Sequence, residues 1–269
     1  MEIVHRLRGK GLGKIPGAKR IYKLLLPKES TLKKVKVLDF EMWIDLKDLG
    51  DLTPALVTKG TYKPQETRII QDMIQPGMVC LDVGANIGYF ATLMARLGAL
   101  VRAYEPEPDN FHILLKNIEL NEVQGNVIPY FGAVSNHSGE GNLSINKDYF
   151  GTHHLSNSGL KVLVTTLDNS LVMKKADFVK VDVQGAEVQV LEGMEEIIEK
   201  NKDIQMIWAF VPKCLKAFNV EPLDFLLKLE EHGFKLWDID EKRKETTPVY
   251  AAQIARKYTK GGTNILVRR

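Results

Sequence analysis

Apolar and polar positions along this chain follow two periods, and the switches between them outline its elements. Residues 35–47, VKVLDFEMWIDLK, alternate with a period of two and predict strands or a hairpin. Residues 62–74, YKPQETRIIQDMI, place Ile69, Ile70, Met73 and Ile74 on one helical face, and QPG at 75–77 ends that helix. Beyond it, strands are predicted at 79–83, 99–104, 126–134, 162–166, 177–183, 204–211, 234–239 and 263–268. Helices at 88–97, 109–121, 186–200 and 222–232 are interleaved with them. Gly98 reads as a C′ glycine, Asp109 as the N-cap of 109–121, and Pro222 as the opening of the last helix. Residues 135–160, rich in Gly, Asn and Ser, predict an irregular insertion. The alternation predicts an α/β fold with a mostly parallel sheet and helices on both faces. No helix long enough for a crossover is predicted between the last two strands, so an antiparallel partner is expected there.

Composition narrows this. At 269 residues and 44% hydrophobic, the chain can bury the core of one large α/β domain with an appendage. No apolar run approaches the ~20 residues of a membrane span. The start lacks the apolar core of a signal peptide, and Cys80 and Cys214 form no framework or metal spacing. A cytoplasmic, reducing location is expected. The net charge of +3 conceals an asymmetry: residues 1–36 carry eleven Lys or Arg against Glu2 and Glu29, leaving the rest of the chain at −6. The chain thus divides into a basic arm (1–34), a strand and helix appendage (35–75) and a main domain (76–269). Such an arm suits an anionic surface, either membrane headgroups or RNA, with peripheral membrane attachment as one outcome. Within it KRIYKLLLPKES can form a short amphipathic turn before Pro27. Nothing in the pattern fixes an oligomeric state.

The candidate chemistry starts at CLDVGANIGYF. Strand 79–83 runs into Asp82-Val83-Gly84-Ala85-Asn86-Ile87-Gly88, a G-x-x-x-G loop. It lacks both the middle glycine of a dinucleotide loop and the lysine of a P-loop. Asp82 beside that loop would repel a pyrophosphate and favour a cationic ligand. S-adenosylmethionine, with no phosphate and two cationic centres, fits. Glu105 follows 21 residues after Gly84 at the end of the next strand, where an acid takes the ribose hydroxyls in nucleotide-binding α/β folds. Pro106 and Pro108 stiffen that turn. The adenine is then expected near YFGAVSN, with Phe131 or Ala133 as an apolar wall and Ser135 or Asn136 as a polar partner.

With these residues in view, the sequence resembles the FkbM-type family of S-adenosylmethionine-dependent methyltransferases, over roughly residues 57–267. GTYKPQET (60–67) resembles the family's G-x-Y-E-P-E opening, with Lys63 where Glu is usual. LDVGANIGYFATLMARLGALVRAYEPEPDNFHILLKNIELN (81–121) follows the family pattern throughout. AVSNHSGEGNLSI (133–145) matches with Asn136 for the common Asp, VTTLDN (164–169) matches the T-L-D segment, and NILV (264–267) matches the closing strand. DFVKVDVQGAEVQVLEGM (177–194) resembles the K-I-D-V-E-G-A-E signature, with Gln184 for Glu. The resemblance implies the class I methyltransferase fold, a Rossmann-like seven-stranded sheet with its last strand antiparallel. It also implies methyl transfer to oxygen, often a hydroxyl of a sugar or secondary metabolite.

For the acceptor, Asp182 ends a strand on the rim where open α/β sheets bind ligands, and Glu187 opens the next helix. The two can serve as base and orienter or hold a divalent cation, although no motif calls for a metal. His153 and His154 lie in the insertion, and a neutral imidazole suits proton removal near pH 7. His112 and His232 read as surface residues. Ala209 and Phe210 stand where the family commonly has Glu after the fifth strand, and Trp208 with Phe210 is expected to make that rim apolar. A small-molecule, glycan or glycolipid acceptor is the first reading. An RNA, or tRNA, methyltransferase is the second, favoured by the arm and by NIELNEVQGNV, but lacking an Asn/Asp-Pro-Pro-Tyr/Phe motif or paired catalytic cysteines. A non-catalytic S-adenosylmethionine-binding protein is the third.

Overall fold

The computed structural model describes residues 31–146, 149 and 151–269. Residues 1–30 of the basic arm (1–34) lie outside the described residues, and its last three positions already belong to a hairpin. Strands β1 (Leu32–Val37) and β2 (Phe40–Asp45) pair antiparallel. Helices α1 (Leu52–Lys59) and α2 (Pro64–Met73) follow, the second opened by Pro64 in the first turn. The main domain runs β3 (Val79–Val83), α3 (Tyr89–Arg96), β4 (Leu100–Glu105), α4 (Pro108–Leu120) and β5 (Val127–Phe131). An insertion holds β6 (Ala133–Val134), β7 (Gly139–Ser144), β8 (His154–Ser156) and β9 (Leu160–Thr165). Then come α5 (Leu167–Ser170), β10 (Phe178–Val181), α6 (Glu187–Glu192), α7 (Glu195–Lys200) and β11 (Gln205–Phe210). Helices α8 (Pro212–Ala217) and α9 (Pro222–Glu231), strands β12 (Lys235–Asp240) and β13 (Glu245–Val249), helix α10 (Ala251–Lys257) and strand β14 (Thr263–Arg268) complete the chain.

The large sheet has the order β13-β12-β14-β11-β10-β3-β4-β5. Strands β3, β4, β5, β10 and β11 are parallel, while β14 lies antiparallel between β11 and β12. This is the Rossmann-like class I methyltransferase sheet with its last strand antiparallel, plus one added edge strand, β13. The strand alternation predicts both faces correctly. On β11, Ile207 joins the core beneath the hairpin, α3 and α4, while Met206, Trp208 and Phe210 join the core beneath α6, α7 and α9. Trp208 and Phe210 are therefore buried in the core and do not form the expected apolar rim.

Other sequence expectations shift for local reasons. The predicted strand 126–134 is two strands in different sheets, because the chain leaves the large sheet at Gly132. Residues 135–160 are not irregular: β7 and β9 pair over 139–143, a pairing that Gly139 and Gly141 hide from any alternation pattern. The predicted helix 186–200 breaks at Gly193, where a Cβ would sit 2.2 Å from the Ser135 carbonyl oxygen. Asp168 caps the second piece, its carboxylate accepting from the N–H groups of Glu196 and Ile197. Asp109 is not the cap of α4; Glu107 is, its carboxylate accepting from Asn110 N–H at 2.6 Å.

Asn117 ties the hairpin to the glycine loop. Fully buried on α4, it accepts from Trp43 N–H and donates to the carbonyls of Trp43 (3.0 Å) and Ile87 (2.8 Å). Asn117→Ala is expected to cost about 2–4 kcal/mol in chemical denaturation, because three backbone groups lose their partner. A loss below about 0.5 kcal/mol, the size of an ordinary surface substitution, would show the bridge to be incidental.

Candidate active site

A cavity of about 780 Å³ opens at the C-terminal ends of β3, β4, β10 and β11. One side is built by the loop after β3. Gly84 has φ +82° and Asn86 φ +53°, and the N–H groups of Gly84 and Ala85 both donate to the Tyr104 carbonyl, closing the loop onto β4. Glu105, at the end of β4, lines the cavity at only 4% exposure. Its Oε2 accepts from Asn86 N–H (2.8 Å) and its Oε1 from Glu107 N–H (3.0 Å). Burial pushes its pKa up to about 7, with those two N–H groups pulling it down. Both oxygens keep spare lone pairs for a diol. Pro106 and Ala133 continue this wall.

Other candidates fall elsewhere. Asp82 is buried and does not line the cavity; neither oxygen accepts a hydrogen bond, and Lys180 Nζ lies 3.9 Å away. Burial raises its pKa to about 6, with Lys180 opposing. The group presented to the cavity floor is Lys180 itself, its ammonium 4.7 Å from the Phe90 ring. Gly88 starts α3 against Leu114, outside the cavity. Phe131 turns away from the cavity and packs on Phe111, ring centroids 4.9 Å apart, at the mouth of a separate 190 Å³ groove.

On the facing side Asp182 lines the cavity, with Lys63 Nζ 3.1 Å from Oδ2 and Gln184 Nε2 donating to Oδ1 at 2.8 Å. Burial pushes its pKa up, but Lys63 and Lys180 outweigh it and hold Asp182 below the ordinary carboxylate value. It is an ionised group with both oxygens engaged, which suits orientation better than proton removal. Lys63 occupies a left-handed backbone position, φ +41°, and also lies 3.6 Å from Glu66. Glu187 is buried and outside the cavity; its Oε2 accepts from Gly185 N–H at 2.8 Å in the first turn of α6, and burial raises its pKa to about 7.

Both insertion histidines line the cavity. His153 Nδ1 accepts from Asn146 N–H, and burial, then the neighbouring His154, lowers its pKa to about 4. His154 Nδ1 donates to the Thr152 carbonyl at 3.2 Å, so in the neutral ring Nε2 is the proton acceptor.

Sequence reasoning missed Lys180, the role of Lys63 and the whole wall of 239–242 and 257–264. A lysine within the apolar run FVKV was a usable signal for the first. The wall gave none, because its helix and edge strand are short and polar. It is pinned by Asp238, which is buried and accepts from Lys257 Nζ (2.7 Å), Tyr258 OH (3.0 Å) and Thr263 Oγ1 (2.9 Å). Among the described residues no group of three metal-ligating side chains occurs, and no helix is long and apolar enough to cross a membrane.

Comparison with known proteins adds the lineage. The hexuronic acid methyltransferase AglP of Haloferax volcanii is 34% identical over 139 residues, covering 49% of this chain and 56% of that protein. The chain thus spans little more than half the length of this relative. Pyrococcus horikoshii TYW2, solved in complex with MeSAdo, is 15% identical with a TM-score of 0.50, covering 90% of this chain and 72% of that one. Methanocaldococcus jannaschii TYW2 in complex with AdoMet is 19% identical with a TM-score of 0.48, covering 90% and 86%. The model of the methyltransferase FkbM domain matches residues 82–236, more than half of the chain. The chain belongs to the FkbM methyltransferase family.

Proposed function

We propose that the protein transfers a methyl group from S-adenosylmethionine to an oxygen of a glycan, glycolipid or small metabolite. The observation that carries this is Glu105, a buried carboxylate held by two backbone N–H groups at the cavity wall, beside a glycine loop without a phosphate-binding lysine. When bound, the donor supplies a methyl group activated by its sulfonium. Glu105 holds the ribose hydroxyls, the Gly84–Asn86 backbone takes the amino-acid end, and Pro106 and Ala133 flank the adenine. Asp182, fixed by Lys63 and Gln184, orients the acceptor hydroxyl, and His154 Nε2 takes its proton.

AglP's name specifies a hexuronic acid, which supports a sugar as the acceptor. The RNA reading rests on the basic arm, of which residues 1–30 lie outside the described residues, and on NIELNEVQGNV; the likeness to Pyrococcus horikoshii TYW2 supports only the fold. A cytoplasmic enzyme whose arm rests on an anionic membrane agrees with a glycolipid acceptor. The test is tritium transfer from labelled S-adenosylmethionine by the full chain into separated lipid, glycan, RNA and protein pools. Label is expected in the glycan or glycolipid pool. Label confined to RNA would favour the second reading, and donor binding without transfer would leave a binding protein.

A further inference from the structure

The cavity wall that faces the donor side is made by residues 239–242 and 257–264, a part of the chain beyond the matched family segment. Its charges are arranged unevenly. Each carboxylate on it is turned to internal work. Asp240 Oδ1 accepts from the N–H groups of Lys242 and Arg243, and its Oδ2 pairs with Lys257 at 3.3 Å. Glu241 spends both oxygens on the N–H groups of Gln65 and Glu66 at the start of α2. The cations differ. Lys257 is held by Asp238 and Asp240, but Lys242 and Lys260 line the cavity with no carboxylate within 4 Å among the described residues. Across the cavity, Lys63 adds a third ammonium, shared with Asp182 and Glu66. Asp51, exposed at the head of α1, lines the same cavity, as do Asp182 and Glu105.

The backbone under the two lysines is fixed. The turn carrying Lys242 is closed by Asp240, and the loop carrying Lys260 is anchored on both sides by Asp238 through Tyr258 and Thr263. Two exposed ammonium groups on a fixed backbone at the cavity's rim, with no carboxylate partner among the described residues, match a ligand with negative charge. The donor's own carboxylate is proposed to sit with its amino-acid end at the Gly84–Asn86 loop, on the other side of the cavity, which leaves the two lysines to a second ligand.

We infer that the methyl acceptor carries an acidic group, a carboxylate, sulfate or phosphate, which Lys242 and Lys260 bind while its hydroxyl faces Asp182 and His154. This rests on the methyl-transfer reading above and names the class of acceptor within it.

The test uses the full chain with tritiated S-adenosylmethionine and a combined extract of glycans, glycolipids and small metabolites divided beforehand on anion-exchange resin. Transfer is expected into the resin-bound pool. Lys242→Ala with Lys260→Ala should raise the half-saturating acceptor concentration roughly tenfold, the yield of two partly exposed charge contacts. Lys242→Arg with Lys260→Arg should largely restore it. Affinity for S-adenosylhomocysteine should stay within about twofold of native, which also shows that the variants fold. Prior phosphatase treatment or carbodiimide amidation of the bound pool tells phosphate from carboxylate, and a sulfate survives both. Transfer into the unbound neutral pool, or a double alanine variant indistinguishable from native, overturns the acidic acceptor and leaves methyl transfer standing. Label in neither pool, with the donor bound, overturns both.

Discussion

Glu105→Ala is expected to weaken S-adenosylhomocysteine binding by about 100-fold or more in isothermal titration. The variant loses two charge-assisted hydrogen bonds to the ribose, each about 1.5–3 kcal/mol. It also strips the N–H groups of Asn86 and Glu107 of their acceptor, loosening the loop itself. The carboxyl adds a pH signature. Its pKa stands at about 7, raised from 4.5 by burial, so below neutrality it carries a proton that blocks part of its accepting capacity. Donor affinity should climb between pH 6 and pH 8 in the native protein and stay flat in Glu105→Gln. The sign for stability is opposite. A buried acid with a raised pKa favours the protonated folded state, so this contribution is fully present below pH 4.5 and is lost as pH rises through 7. The difference is about 3 kcal/mol, visible as a falling melting temperature of the ligand-free protein. An affinity untouched by Glu105→Ala would remove the ribose assignment.

The second large effect is at Gly84. Its φ of +82° already disfavours a side chain, and a Cβ there would lie 2.1 Å from the Asp182 carbonyl oxygen. That oxygen cannot retreat freely, because Asp182 N–H donates to the Val83 carbonyl and binds the two loops together. Gly84→Ala therefore pushes β3 and β10 apart at their ends. The expected cost is about 3–4 kcal/mol, or roughly 10 °C in melting temperature for a domain of this size, with donor binding lost at 25 °C. Native-like melting together with native donor affinity would contradict the close approach of these loops.

The proposed donor side was legible because it lies on local sequence. Strand 79–83, the glycine loop and Glu105 sit within 27 residues, and their chemistry follows from residue type and spacing. Asp82 shows the limit of that logic. Its position at a strand end was right, but strand pairing sets Lys180 of β10 beside it, and the pair turns its charge inward. Glu187 failed similarly: a first-turn acid on a helix found a nearby N–H and stayed under the surface. The acceptor side was scarcely legible. Its wall is assembled from β12, the turn after it and the stretch before β14, which the sheet order brings to β11 across some 50 residues. Short polar elements such as β13 and α10 exist through pairing and through the Asp238 anchor, neither of which leaves a periodic trace.

The placement of β14 between β11 and β12 has one more consequence. The strand that seals the sheet also separates two groups of cavity residues: those proposed to hold the donor come from β3, β4 and the segment just after β5, whereas the far lip hangs from β12 and the run-up to β14. Asp238 gives that lip its own internal anchor, while Glu241 ties it to the start of α2 and Gly262 sets it against the Phe210 carbonyl of β11. A substitution at the exposed Lys242 or Lys260 therefore leaves the lip's anchors in place, whereas one at Glu241 or Gly262 reaches α2 or β11 directly.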